Sequence, residues 1–214
     1  MIIAVDGPAG SGKGTISEYL AMKFDLLYLD TGLLYRALAK TVIRENVDPK
    51  NFQAVTNIAH TLTFQDVQDP NLRGEDIAAV ASQIAVIAEA RKVMDEFQRD
   101  FCRSVKLPYK GAILDGRDIG TVICPEATCK LFITARPEIR NQRRMLETQG
   151  TDGASPEALS EIARKMVERD NRDSTRQIAP LTAAPDAFII DTSGLTIEQA
   201  CTKAAEYVTQ YCVA

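Results

Sequence analysis

The residues best placed to do chemistry lie near the N-terminus, in the run Gly7-Pro8-Ala9-Gly10-Ser11-Gly12-Lys13-Gly14-Thr15. A short apolar stretch, Ile2-Ile3-Ala4-Val5, precedes them, and an amphipathic stretch follows. Glycines at this spacing let consecutive backbone N–H groups turn toward one anion. A helix beginning at Lys13 adds the partial positive charge of its N-terminus, and the lysine side chain reaches the β- and γ-phosphates of a nucleotide. The residue after Lys13 is Gly14, so the hydroxyl comes one position later, at Thr15. A magnesium ion would then be held mainly through phosphates and water, near Thr15 and Asp115.

Three further groups carry charge suited to a second anionic ligand. Asp30-Thr31-Gly32-Leu33-Leu34-Tyr35-Arg36 follows an apolar run, with Thr31 expected as a helix N-cap and Arg36 close behind it. Asp115-Gly116-Arg117-Asp118-Ile119-Gly120-Thr121 follows another apolar run. Gly116 permits a sharp turn there that presents Arg117 and Asp118. Asp118 can accept from an amino group, or an aspartate at this place can serve magnesium. Arg169, Arg172, Asp173 and Arg176 share one face of a helix by their spacing. Like charges that close repel unless an anion compensates them, and phosphoryl transfer asks for such a set around the moving oxygens. Arg140, Arg143 and Arg144 can add to that clamp.

These groups need a scaffold that ends strands beside one another. Five apolar runs qualify as strands: 2–6, 26–30, 112–115, 130–134 and 187–191, and all but the fourth end in aspartate. Nearly continuous apolar strands read as a parallel sheet covered on both faces. Helical patterns at 13–23, 31–45, 89–105, 137–147 and 197–211 alternate with them, which predicts a doubly wound α/β fold. Ligands in such folds bind beyond the carboxyl ends of the strands. Two segments interrupt the alternation. Residues 57–87 hold a β-like piece, Leu62-Thr63-Phe64, and polar turns. Residues 148–156 form a polar loop that reads as a lid excluding water, a competing acceptor.

Bulk properties remove several classes. The net charge of −4 disfavours a general nucleic-acid binder, yet eight arginines fall between positions 136 and 176, which suits a small polyanion. His60 is the single histidine, which argues against histidine-based triads and His-rich metal sites. Five scattered cysteines argue against a disulfide framework and for a reducing cytoplasm. No apolar run approaches a membrane span of about 20 residues, and the N-terminus is not read as a signal peptide. No heptad or large apolar patch demands a dimer, so a monomer is expected.

Taken together, these motifs resemble the bacterial cytidylate kinase family. The resemblance rests on the glycine-rich loop, Asp30-Thr31-Gly32 with Tyr35-Arg36, Ala81-Ser82-Gln83-Ile84-Ala85, Arg91, Gln98-Arg99, the 115–121 run, Arg143-Arg144-Met145-Leu146, Glu168-Arg169-Asp170-Asn171-Arg172-Asp173 and Ala179-Pro180-Leu181. It implies one domain over 1–214, a P-loop NTPase-type three-layer α/β fold with a five-stranded parallel sheet. It also implies an acceptor-binding insertion at about 57–87 and a short lid at about 145–160. The implied reaction moves the γ-phosphoryl group of ATP, with Mg2+, onto CMP or dCMP. Ser82, Arg91 and Asp118 match positions around the cytosine. Thr31 matches another pocket position, where serine is usual, and Tyr35 lies beside it. Asp173 matches the sugar-hydroxyl contact with Arg176 beside it, Arg36 and Arg117 match acceptor-phosphate contacts, and Arg169 matches a clamp across the phosphates. The segment Asp76–Ala81 leads directly into Ser82, without the arginine-containing step usual in the family. The rivals are a kinase for another monophosphate such as UMP or AMP, a P-loop protein binding a nucleic-acid backbone, and a non-catalytic nucleotide sensor.

Overall fold

A computed structural model describes residues 1–149 and 156–212, so the tip of the expected lid, Gly150–Ser155, lies outside the described residues. The chain divides into two compact units, Met1–Leu29 with Val105–Ala214, and Asp30–Ser104. The segment 57–87 falls inside the second.

The first unit is built on a five-stranded sheet of order β2-β3-β1-β4-β5. Its strands are β1 (Ile2–Asp6), β2 (Leu26–Asp30), β3 (Gly111–Gly116), β4 (Cys129–Thr134) and β5 (Phe188–Asp191). β1 pairs in parallel with β3 and β4, and β4 in parallel with β5. Every residue of β3 is buried, as are four of the five in β1. That accounts for their unbroken apolar sequence. The register aligns Asp6 with Gly116 and with Phe132. The carboxyl ends of the three central strands therefore lie side by side, where the expected motifs begin.

α1 (Lys13–Phe24) packs on β3 and on α9 (Ile197–Tyr211). Ile16 and Leu20 of α1 join Ile3, Val5, Ile113 and Leu131 of the sheet and Val208 of α9 in one apolar core. Burying an isoleucine or leucine is worth about 1.5–3 kcal/mol. The propensity penalties of Gly14 and Thr15 at the start of α1 are each at most about 1 kcal/mol. Packing therefore decides this helix. α7 (Pro137–Gln149) packs against α8 (Pro156–Thr175).

The second unit is helical: α2 (Thr31–Arg44), α3 (Phe52–Ala59), α4 (Phe64–Val67), α5 (Glu75–Ile84) and α6 (Ala88–Arg103), with a 3-10 turn at Pro70–Leu72. Two expectations change here. Leu62-Thr63-Phe64 is not β-like: the backbone N–H and hydroxyl of Thr63 both donate to Asp66, at 2.8 and 2.7 Å, and start α4. Phe64 then stacks on Phe101, with ring centroids 5.6 Å apart. Thr31 is not the N-cap of α2 but its first residue. Asp30 caps the helix, accepting from the N–H groups of Gly32 and Leu33 at 2.9 and 3.3 Å.

A severe steric demand falls on Gly7, directly after β1, whose missing β-carbon would stand 2.0 Å from the carbonyl oxygen of Ile133 in β4. Gly7→Ala is expected to cost well over about 1 kcal/mol, the usual penalty where the native backbone rejects alanine. Urea unfolding measures this. A variant with wild-type stability contradicts the packing of β1 against β4.

Candidate active site

The glycine-rich loop leaves β1 and enters α1 through Gly12, whose φ of 89° is left-handed and favours glycine. Three of its carbonyl groups take donors from side chains outside the loop. Arg140 Nη1 donates to Ala9 at 3.2 Å, and Arg143 Nη1 donates to Gly10 and Ser11 at 3.4 and 3.2 Å. The hydroxyl of Thr192, just after β5, donates to Ser11 at 2.9 Å. Arg143 also donates to that hydroxyl at 2.9 Å and to the Thr192 carbonyl at 3.0 Å. Arg140 is buried and paired with Asp170 at 2.7 Å. A loop whose carbonyls are drawn to one side presents its N–H groups to the other, as an anion nest requires. Arg140 and Arg143 were expected to reach toward phosphate. They instead hold the loop from behind, while Arg144 pairs with Glu147 at 3.1 Å.

Beyond the ends of β1 and β3 a second cluster forms. The Asp6 carboxylate accepts from the N–H groups of Ile119 and Gly120, both at 2.8 Å. These residues open a single π-helical turn, Ile119–Ile123. Arg117 Nε donates to Asp173 at 2.8 Å, and Arg117 Nη1 donates to the Gly116 carbonyl at 3.0 Å. Arg169 lies 4.0 Å from the same carboxylate oxygen of Asp173. Arg176 pairs with Asp118 at 3.2 Å. The fold thus brings together Arg117, Asp118, Arg169, Asp173 and Arg176, whereas Arg172 is exposed. Burial would raise the pKa of Asp173, but Arg117, then Arg169 and Arg176, outweigh it and hold the carboxyl below its usual range.

Nearer the loop, the Tyr28 hydroxyl donates to Asp115 Oδ2 at 2.8 Å. That oxygen lies 3.6 Å from where a β-carbon on Gly14 would be. A cavity of about 270 Å³ adjoins the loop on the side of Thr15, Ile16, Arg143, Leu146, Leu195 and Cys201.

In the helical unit, Arg91 is 2% exposed despite its charge. Its guanidinium lies 5.8 Å from the centre of the Tyr35 ring and donates to the Ala85 carbonyl at 3.2 Å, with Asp95 at 4.0 Å. Arg36 donates to the Leu72 carbonyl at 3.0 Å. Thr31 is buried, and Ser82, on α5, is half-buried.

Comparison with known proteins decides the class. The family model described as cytidylate kinase matches residues 3–210. The chain belongs to the cytidylate kinase family. It is an ATP-dependent phosphotransferase whose acceptor is a cytidylate. A cytidylate kinase of Rhodospirillum rubrum is 44% identical over 206 residues, covering 96% of each chain. One of Cereibacter sphaeroides is 47% identical over 206 residues, covering 96% of this chain and 94% of its own. An uncharacterized protein from Eubacterium ventriosum shares the fold, with a TM-score of 0.56 at 14% identity over 98% of this chain and 99% of its own. Among the described residues, no helix is long and apolar enough to cross a membrane.

Sequence reasoning missed Asp6, Tyr28 and Thr192 as parts of the site, together with the backing role of Arg140 and Arg143. A backbone carbonyl carries no sequence signature, so the side chains that satisfy it have none either. For Asp6 a signal existed: an aspartate ending a strand directly before the glycine loop.

If Thr192 shapes the cradle, Thr192→Val should weaken ATP binding by roughly 1–3 kcal/mol, the cost of leaving a buried group unpaired. KM for CMP should stay within about twofold. Steady-state kinetics with each substrate varied checks this. An unchanged KM for ATP contradicts it.

Proposed function

We propose that this cytidylate kinase holds ATP at the 7–15 loop and binds CMP or dCMP through two sets of side chains. One set is Arg117, Asp118, Asp173 and Arg176, in the sheet-based unit. The other is Thr31, Tyr35, Arg36, Ser82 and Arg91, in the helical unit Asp30–Ser104. What supports the reading most is the cluster of Arg117, Arg169 and Arg176 interleaved with Asp118 and Asp173 beyond the sheet. Arg117 with Asp173 and Arg176 with Asp118 stand at hydrogen-bonding distance and Arg169 lies 4.0 Å from Asp173, so an entering nucleotide exchanges partners with groups already in position.

The assignments follow from chemistry. Cytosine offers an exocyclic amino group to an acceptor and ring acceptors to a donor. Asp118 is assigned to the amino group and Arg91 to a ring acceptor, with Ser82 and Thr31 as further contacts to the base. The ribose hydroxyls donate to Asp173, and Arg36 and Arg117 take the acceptor phosphate. Lys13 draws on the β- and γ-phosphates, and Arg169 bridges the charge that spreads over the moving phosphoryl group. Little covalent work is asked of the protein beyond this alignment and neutralisation. The apolar cavity beside Thr15 and Leu195 is the natural seat for the donor's base.

The residues near the loop also fit a magnesium ion that travels with ATP. Among the described residues no cluster of three or more His, Cys, Asp or Glu could hold a metal unaided. The Asp115 carboxylate, steadied by Tyr28, and the exposed Thr15 hydroxyl would meet an ion already ligated by phosphates and water. Bound there, magnesium would neutralise charge on the β- and γ-phosphates.

Lys13→Ala should fold normally and lose about a hundredfold or more in kcat. Near-normal turnover in a folded variant defeats the reading of the loop. Asp173→Ala should raise KM for CMP and lower kcat. dCMP, with one hydroxyl fewer to lose, should suffer less. The CMP to dCMP ratio of kcat/KM in wild type and variant is the quantity to compare, and a ratio that does not move removes Asp173 from the sugar.

A further inference from the structure

Asp6 ends β1 one residue before the glycine loop and is 3% exposed. The mechanism above gives it no part. Yet each of its carboxylate oxygens takes one backbone N–H of the turn that follows Asp118. That turn is closed from the other side as well, because Val122 and Ile123 donate to the Asp118 carbonyl at 2.9 and 3.2 Å. Space is tight here: a β-carbon on Gly120 would lie 3.4 Å from Asp6 Oδ2 and 3.2 Å from the Lys130 side chain. Single π-helical turns are rare and concentrate at functional sites. This one needs a fixed acceptor for N–H groups that its geometry leaves over.

We infer that Asp6 is a positioning residue for the acceptor nucleotide, its two carboxylate oxygens clamping the turn that carries Arg117 and Asp118. The inference rests on the reading that Arg117 and Asp118 bind the acceptor. A carboxylate can hold two N–H groups at once because it is acceptor-only. Once protonated, one oxygen carries a hydrogen that faces an N–H, and one of the two bonds is lost.

The surroundings place that change in an accessible range. Burial pushes the Asp6 carboxyl up to about 6, with Asp118 adding to the rise. The two backbone bonds and Arg117 oppose it. From the neighbouring strands, Lys130 of β4 is spent on Asp186, at 2.9 and 3.0 Å. Asp115 of β3 stands one position before Asp6's register partner Gly116. The grip on CMP should therefore weaken as pH falls through about 6. Stability should move the other way. The folded carboxyl binds its proton more tightly than the unfolded one, so this residue's contribution to stability rises as pH drops from about 6 toward 3.8. A loss of CMP binding in that window is thus not acid unfolding driven by Asp6.

The test is Asp6→Asn, which keeps the shape but leaves one oxygen to accept. At about pH 7.5 KM for CMP should rise roughly tenfold, with KM for ATP within about twofold. The phosphate of CMP itself titrates near 6, so the variant to wild-type ratio of KM for CMP is what is read. It should shrink toward one below about pH 6, where the wild type becomes protonated. A ratio that is flat with pH, or KM values for ATP and CMP that rise together, overturns the inference. Asp118→Ala serves as the control. If it leaves KM for CMP unchanged, the acceptor reading fails, and this inference with it. If it raises KM for CMP while Asp6→Asn does not, only the inference fails. Hydrogen exchange on the unmodified protein decides independently of either variant. Protection of the Ile119 and Gly120 amides should fall as pH drops through about 6, and constant protection overturns the clamp.

Discussion

A loop that turns its N–H groups toward a phosphate must dispose of its carbonyl groups, and most of this fold's unusual side-chain placements answer that demand. Unsatisfied buried carbonyls cost about 1–3 kcal/mol each, so they need donors of fixed position. Arg140, Arg143 and Thr192 provide them at Ala9, Gly10 and Ser11. Those donors must themselves be held. Arg140 is locked by Asp170 of α8, and Arg143 by the turn after β5. The shape of the glycine-rich loop is in this sense set by α7, α8 and the end of the sheet as much as by its glycines.

The charged cluster beyond β1 and β3 obeys a related constraint. Guanidinium groups close enough to converge on one phosphate repel one another unless something stands in for the anion. Asp118 and Asp173 do so, pairing with Arg176 and Arg117. The low pKa of Asp173 shows that these arginines overcome the cost of its burial. Asp6 is the opposite case: its burial dominates, and two backbone N–H groups, with a smaller pull from Arg117, do not offset it. Two carboxylates near one site are thereby set apart in their affinity for protons, one by the arginines around it and one by its burial.

Much of this was legible in the residues alone. The loop 7–15, the five strands and the helices flanking them follow from apolar runs, glycine spacing and strand-end aspartates, because a buried parallel sheet leaves that pattern. The cluster of Arg117, Asp118, Asp173 and Arg176 followed from motif resemblance. What could not be read was which face of each arginine's environment is peptide and which is solvent. Arg140 and Arg143 looked like phosphate ligands by charge, and only the position of the loop carbonyls reveals their role. Leu62-Thr63-Phe64 looked like a strand by composition, yet one carboxylate three residues on, at Asp66, was enough to turn it into a helix start. The N-cap assigned to Thr31 belonged to its neighbour for the same reason: Asp30 reaches two N–H groups at once.

The central claim is that this arrangement transfers phosphate from ATP to a cytidylate and to no purine monophosphate with comparable efficiency. ADP release, coupled to an indicator reaction and measured against CMP, dCMP, UMP, AMP and GMP under identical conditions, tests it most directly. The account expects the highest kcat/KM for CMP and dCMP, with AMP and GMP lower by about a hundredfold or more, as befits a site built to hydrogen-bond one base. Equal or greater efficiency with a purine monophosphate would contradict it.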